Sequence, residues 1–574
     1  MSSHQANLST PFPTCPPAGN HPLPFAIDEM AFSEWLNTLE NVDDMAKCQK
    51  ILQVLQALNN AFAPEDNRIF GRTRLFFLEK MSSAITPATA RLTLFPSTSD
   101  PSVKVISVAE ETARSEISVW VNLELANAYW LLSQENWFKE EKSFSLEEKT
   151  AIISDGINAM GKGLLYISQT YSKPHIYFWH KCFQFYRYAR HCHLINEEIN
   201  PGSRMIDGAF KRLLVFSLSN TNQFTPHEMR TIYELLSQYA IHTRLLSSIP
   251  KKRFGGIPSI HLKGNGPPTI ADSDHEPDIV DPEHLYIATV TVASKILEAT
   301  YDKRGHMLPT DRLMFLRLAK TLTHSEQRKD PRTAAKSNHL GTMGFDHIVE
   351  FLRDKEVEKE SILNALGSNH SGQPRDLDFT LSPARLKRDG DDDDFYDNDN
   401  LKLEAMVDPL AFQVIEFTDP TEIWQASEEE KHDINMRLVD KSEKGFGLLW
   451  TDSHIKPKVG GVVGILHKTM TIGLVRWLAQ SKEVGMFMGV ELLGNDAATV
   501  QVSNPGFPND LVDAIFLPDT NHIKQSASLI FVNKGFKPSE FIFLHKNKKN
   551  TRYRLTKQLH LTALINHVEV VRSN

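Results

Sequence analysis

At 574 residues the chain exceeds what one hydrophobic core organises, so several domains are expected. Its 63 basic and 71 acidic side chains leave a formal charge of -8, which argues against an overall electrostatic grip on nucleic acid. The longest apolar runs, such as "VGGVVGIL", fall far short of the ~20 residues of a membrane-spanning helix, so no membrane insertion is expected.

In chain order, residues 1–25 contain no basic stretch leading into an apolar one and read as a disordered, proline-rich leader, not a secretory signal. Cys15, Cys48, Cys182 and Cys192 form no CxxC pair and no disulfide framework, which points to a reducing, cytoplasmic setting. Residues 26–366 read as a large helical array. Apolar residues recur at three- and four-residue steps in "MAFSEWLNTLENVDDMAKCQKILQVLQALNNAF" and "SEISVWVNLELANAYWLLSQENWF". Thr225-Pro226 supplies an N-cap and a first-turn proline for a further helix. Aromatic and leucine-rich helices joined by short turns suit a solenoid-like array, although no fixed repeat length emerges. The glycine- and proline-rich stretch 251–281 reads as a long loop within it.

Two segments of the array carry residue types that do chemistry elsewhere. "GINAMGKGLL" nearly spells a phosphate-binding loop, but Gly163 stands where a magnesium-binding hydroxyl belongs and the preceding residues read as helix. "HKCFQFYRYARHCH" gathers His180, Cys182, His191, Cys192 and His193, yet its two ends lie about three helical turns apart, too far to share one tetrahedral ion. Both read as helix packing. GxSxG and HExxH signatures are missing, so neither an enzyme nor a metal site is expected.

Residues 367–402, with the acidic run Asp391 to Asp394, read as a flexible linker. The period then changes. "INMRLVD", "GFGLLW", "VGGVVGIL", "TIGLVRWLAQ", "GMFMGVELLG" and "AATVQVS" alternate like short strands, which predicts an antiparallel barrel over 403–510. Residues 511–574 are similarly strand-rich and form either an extension of that barrel or a second small one.

Within "INMRLVDKSEKGFGLLW" a strand reaches the barrel rim at Asp440. Its carboxylate can accept two parallel N–H bonds, as a guanine edge offers; Ser442 can donate and accept; Gly445 permits a turn with positive φ. The plainer alternative is an Asx or Ser turn in which both side chains bond only their own backbone.

The segment 433–503 resembles a PilZ domain. Such domains carry a (D/N)xSxxG motif after the first barrel strand, matched by Asp440, Ser442 and Gly445, and later strands like "TIGLVRWLAQ" and "MGVELL". The resemblance implies binding of cyclic di-GMP, with Asp440 and Ser442 contacting guanine while Gly445 keeps the turn close. PilZ domains also use an RxxxR motif shortly before the first strand to grip phosphate and guanine. Residues 401–436 contain no arginine, and Arg385 and Arg388, in the linker, have RxxR spacing. Arg437 and Arg476, on neighbouring strands, are the candidate substitutes.

The expected architecture is therefore multidomain α + β, a helical array followed by a PilZ-like barrel and further β structure. The expected function is that of a bacterial cytoplasmic signalling protein, not an enzyme. It needs no cofactor, binds cyclic di-GMP or a related nucleotide, and relays it to a protein partner held by the helical region. An alternative keeps the barrel as an interaction module without ligand, in motility or pilus assembly; another places an enzyme site in the helical region.

Overall fold

The computed structural model describes residues 23–60, 71–93, 107–135, 138, 144–195, 202–248, 257–270, 281–302, 308–323, 332–355, 434–451, 455–466, 469–481, 484–519, 526–532, 536–546 and 549–573. Nearly all of the expected leader, the whole expected linker and residues 403–433 of the expected barrel lie outside the described residues. Residues 1–348 and 431–574 form one compact unit and residues 349–430 another.

Helices α1 (Glu29–Asn37), α2 (Asp44–Asn60), α3 (Gly71–Leu92) and α4 (Val108–Gln134) lead into α5 (Leu146–Gln169), which is buried along most of its length. Three more follow: α6 (Phe178–His191), α7 (Ser203–Ser217) and α8 (Pro226–Tyr239). Reciprocal caps start α5 and α8. Ser145 and Thr225 accept bonds from the backbone N–H of Glu148 and Glu228, whose carboxylates accept the N–H of the capping residues. The near-phosphate-loop segment lies inside α5, where a Cβ on Gly156 would fall 2.5 Å from the Phe185 ring, so its small residue serves helix packing. In α6 the side chains of Phe178, Trp179, Cys182, Phe183 and Phe185 are buried, and burial pushes the Cys182 thiol well above its ordinary pKa. His180 pairs with Gln184 at 2.9 Å.

The stretch read as a loop contains structure. Strands β1 (Arg244–Leu246), β2 (Pro258–His261), β3 (Thr269–Ile270) and β4 (His284–Ala288) form a sheet of order β1-β4-β2-β3. The glycines and prolines between β2 and β3 make their turn, while Ile260 is buried beneath. Helices α9 (Val290–Asp302) and α10 (Pro309–Thr323) complete the described helices before the barrels.

The next element, β5 (Thr333–Met343), is a strand within the segment read as helical. It pairs with β6 (Ile434–Ser442) on one side and β8 (Val462–Leu466) on the other. With β7 (Gly445–Trp450), β9 (Met470–Ser481) and β10 (Gly485–Gly494) it closes an antiparallel barrel of order β10-β7-β6-β5-β8-β9. The barrel docks on the helices: the Gln480 N–H donates to the Tyr171 carbonyl at 2.9 Å, and Lys456 Nζ lies 3.0 Å from Glu111 Oε1.

Strands β11 (Ala498–Asn504), β12 (Phe507–Leu517), β13 (Ser528–Phe531), β14 (Phe541–Lys546), β15 (Lys549–Leu561) and β16 (Asn566–Arg572) close a second barrel, of order β11-β12-β13-β16-β15-β14. The C-terminal residues are thus a separate barrel, and "AATVQVS", expected in the first, forms β11 of the second. Alternation marks a strand but not its hydrogen-bonding partners, and β11 pairs with β12 and β14.

Inside this second barrel His567 is buried, with Nε2 2.9 Å from Ser528 Oγ. Burial, assisted by nearby His560, pushes its pKa down to about 3. A base whose folded-state pKa is depressed is protonated more readily in the unfolded chain, so its neutral form contributes stability above the unfolded value that is lost as the pH falls towards the folded one. The C-terminal barrel should therefore lose up to about 1.4 kcal/mol per pH unit below the ordinary histidine range. Calorimetric melting between pH 7 and pH 5 checks this, and His567→Gln should remove most of the slope.

Candidate functional site

Strands β6 and β7 meet in a two-residue turn, Glu443-Lys444, with Ser442 opposite Gly445 and Asp440 opposite Gly447. Along β6, Met436, Leu438 and Asp440 are buried while Arg437 is exposed. A register shift between Leu438 and Asp440 marks a bulge, a device that re-aims side chains at barrel rims. Asp440 is 3% exposed, and a carboxylate so buried requires a counter-charge.

Arg332 supplies it. It immediately precedes β5, whose Ala334 pairs with Asp440, and its Nη1 donates to Asp440 Oδ1 at 2.6 Å and Oδ2 at 2.8 Å. Gly447 leaves the room: a Cβ there would lie 2.6 Å from Oδ1. The Ser442 hydroxyl donates to the Gly445 carbonyl at 3.3 Å, closing the turn locally. Asp440 thus bonds the arginine just before β5 and Ser442 follows the plainer Ser-turn alternative.

The glycine of the motif has a different reason from the one expected. Gly445 lacks positive φ; instead, a Cβ there would fall 2.2 Å from the Val490 carbonyl oxygen, so its bare Cα lets β10 approach. In β10 it pairs with Glu491. Arg476 on β9 reaches that same Glu491, Nε to Oε2 3.4 Å. Of the five residues singled out in the sequence, Asp440, Ser442 and Gly445 share one turn and Arg476 reaches the strand behind it. Arg437 projects from the opposite face of β6 from Asp440.

Arg332, Gly447 and Glu491 were missed. Arg332 ends "RKDPR", in which Arg328 and Arg332 have the RxxxR spacing directly before β5. The sequence reading places the motif ahead of β6, yet the barrel strand that follows it is β5, with residues 344–433 between the two. The signal was an RxxxR running straight into an extended stretch; Arg328 itself lies outside the described residues.

Comparison with known families matches three consecutive models. One described as the N-terminal domain of the cyclic-di-GMP receptor FimW matches residues 30–251, and one described as its middle PilZ domain matches 293–499. One described as the FimW C-terminal beta-barrel domain matches 497–572. The middle match spans Arg328, Arg332 and strands β5 to β10. No curated protein and no solved structure matches the chain.

The geometry makes Asp440 the point on which Arg332 and Gly447 both act. Arg332→Ala strands a buried carboxylate and Gly447→Ala pushes a methyl into it, so each should lower stability by about 1–3 kcal/mol. The double variant should lose less than the sum, because one carboxylate is disturbed twice. Denaturant midpoints of the full chain measure both.

Proposed function

Because the chain belongs to the FimW family of cyclic-di-GMP receptors, we propose that its middle barrel binds cyclic di-GMP at the rim where Arg332, Asp440 and Ser442 meet. The pairing of Arg332 with Asp440 carries this reading. In the structure the two charges satisfy one another. A bound dinucleotide offers both a replacement: the N1–H and N2–H edge of guanine donates to the Asp440 carboxylate, and its phosphates accept from the guanidinium groups of Arg332 and Arg328. Ser442 borders the guanine edge and Gly445 keeps the turn free of a side chain. Arg437 and Arg476 have no part in this arrangement.

The ligand-free alternative rested on a lack of arginines before the barrel, and "RKDPR" supplies them at the family spacing. In this reading the protein is a receptor and does no chemistry on its ligand. It works in the cytoplasm, which fits the free thiols of Cys48, Cys182 and Cys192. Among the described residues no helix is long and apolar enough to cross a membrane. The helical array holds a protein partner to which the bound state is relayed.

Calorimetric titration of the full chain with cyclic di-GMP should show saturable binding. Asp440→Ala, Arg332→Ala and Arg328→Ala should each weaken it about tenfold or more, the worth of a hydrogen bond to a charged group. Binding that is missing, or unchanged in all three variants while their melting curves stay cooperative, sinks the proposal.

A further inference from the structure

Strand β10 backs the Asp440 turn closely. Gly445 stands in register with Glu491, and the Leu492 N–H donates to the Lys444 carbonyl at 2.9 Å. With the Val490 carbonyl so near the Gly445 Cα, turn and strand have little room to move independently.

The Glu491 side chain reaches the C-terminal barrel. Its Oε1 lies 3.5 Å from His560 Nε2 on β15, while Oε2 takes Arg476. His560 Nδ1 is 3.1 Å from His567 Nδ1, and the two rings are parallel within 6°. His567 Nε2 in turn meets Ser528 Oγ. One assignment of protons satisfies every member: the Ser528 hydroxyl donates to His567 Nε2, His567 Nδ1–H to His560 Nδ1, and His560 Nε2–H to Glu491. The chain of donors therefore starts in the core of one barrel and ends on the strand behind the candidate site of the other. The His560 bond holds the Glu491 carboxyl below the usual carboxylate range, against the opposing effect of burial. A second contact lies nearby, the Thr562 hydroxyl donating to the Gly460 carbonyl at 2.8 Å.

We propose that Glu491 and His560 are positioning residues for the nucleotide site, so that the C-terminal barrel sets ligand affinity in the middle barrel and registers its occupancy. The inference rests on the cyclic di-GMP reading above. His560 fixes Glu491, Glu491 fixes the strand segment paired with Gly445, and that segment fixes the turn carrying Asp440 and Ser442. Linkage makes the effect reciprocal: if the His560 contact favours the binding geometry, ligand favours the His560 contact.

Titration of the full chain with cyclic di-GMP tests it. His560→Ala should weaken binding about fivefold or more, the usual scale of coupling between sites. His560→Gln, which keeps an N–H donor for Glu491, should restore most of the loss, as a mere packing role would not require. Should His560→Ala lower the melting temperature, Glu491→Gln, of unchanged size, gives the same reading. Hydrogen exchange completes the test: ligand should slow amides of β15 and β16 in the native chain but not in His560→Ala. Native affinity in both His560→Ala and Glu491→Gln overturns the inference alone. So does ligand protection of residues 440–447 without any change in β15 and β16. No binding or protection in the native chain overturns the underlying site as well.

Discussion

Burial of the Asp440 carboxylate is the constraint around which the middle barrel is arranged. A charge at 3% exposure is tolerable only with a partner placed within hydrogen-bond distance. The partner comes from the residue before β5, which obliges that strand to pair alongside β6 although residues 344–433 separate them in the chain. The same carboxylate demands a missing side chain on the facing strand, met by Gly447. Arg332 and Gly447 thus both answer one charge.

Contacts radiate from this barrel to its neighbours within the compact unit. Its β9 edge meets the helices at Tyr171, and Lys456 pairs with Glu111 of α4. Arg317 of α10 pairs with Glu228, the carboxylate that completes the α8 cap, and stacks over Phe224 at 4.7 Å. Arg476 lies within electrostatic reach of Arg317 and its guanidinium meets Glu491. A residue chosen from the sequence as a ligand contact thereby stands where helices, middle barrel and C-terminal barrel converge.

Local features were legible in the sequence and pairings were not. The N-cap and first-turn proline at Thr225-Pro226 and the alternation of β9 and β10 depend on residues close in sequence, and both appear where expected. The (D/N)xSxxG turn was equally local. By contrast, "TAAKSNHLGTM" has almost no apolar alternation; it is a strand because β6 and β8 flank it on both sides. The pairing of Arg332 with Asp440 was hidden for the same reason, since the two lie 108 positions apart. Gly445 was recognised as a required glycine but for the wrong cause, since the obstacle is the Val490 carbonyl of a strand some way further along the chain. Residue type can announce that a position is special; only the fold says what it is special against.

On the proposed reading, a site that satisfies itself also selects its ligand. Opening the Arg332–Asp440 pair leaves a buried anion and a partly buried cation, each costly if uncompensated. A molecule presenting only phosphate would engage the arginine and strand the aspartate, and one presenting only a guanine edge would do the reverse. Either would be opposed by the ion pair it displaced. A guanine dinucleotide presents a paired donor edge and anionic phosphates together, so it can replace both halves of the bond at once. Affinity then appears as the difference between two complete sets of charge-assisted bonds. Discrimination comes from the incompleteness that other ligands would leave behind, as expected where specificity depends on unpaired polar groups in the wrong complex.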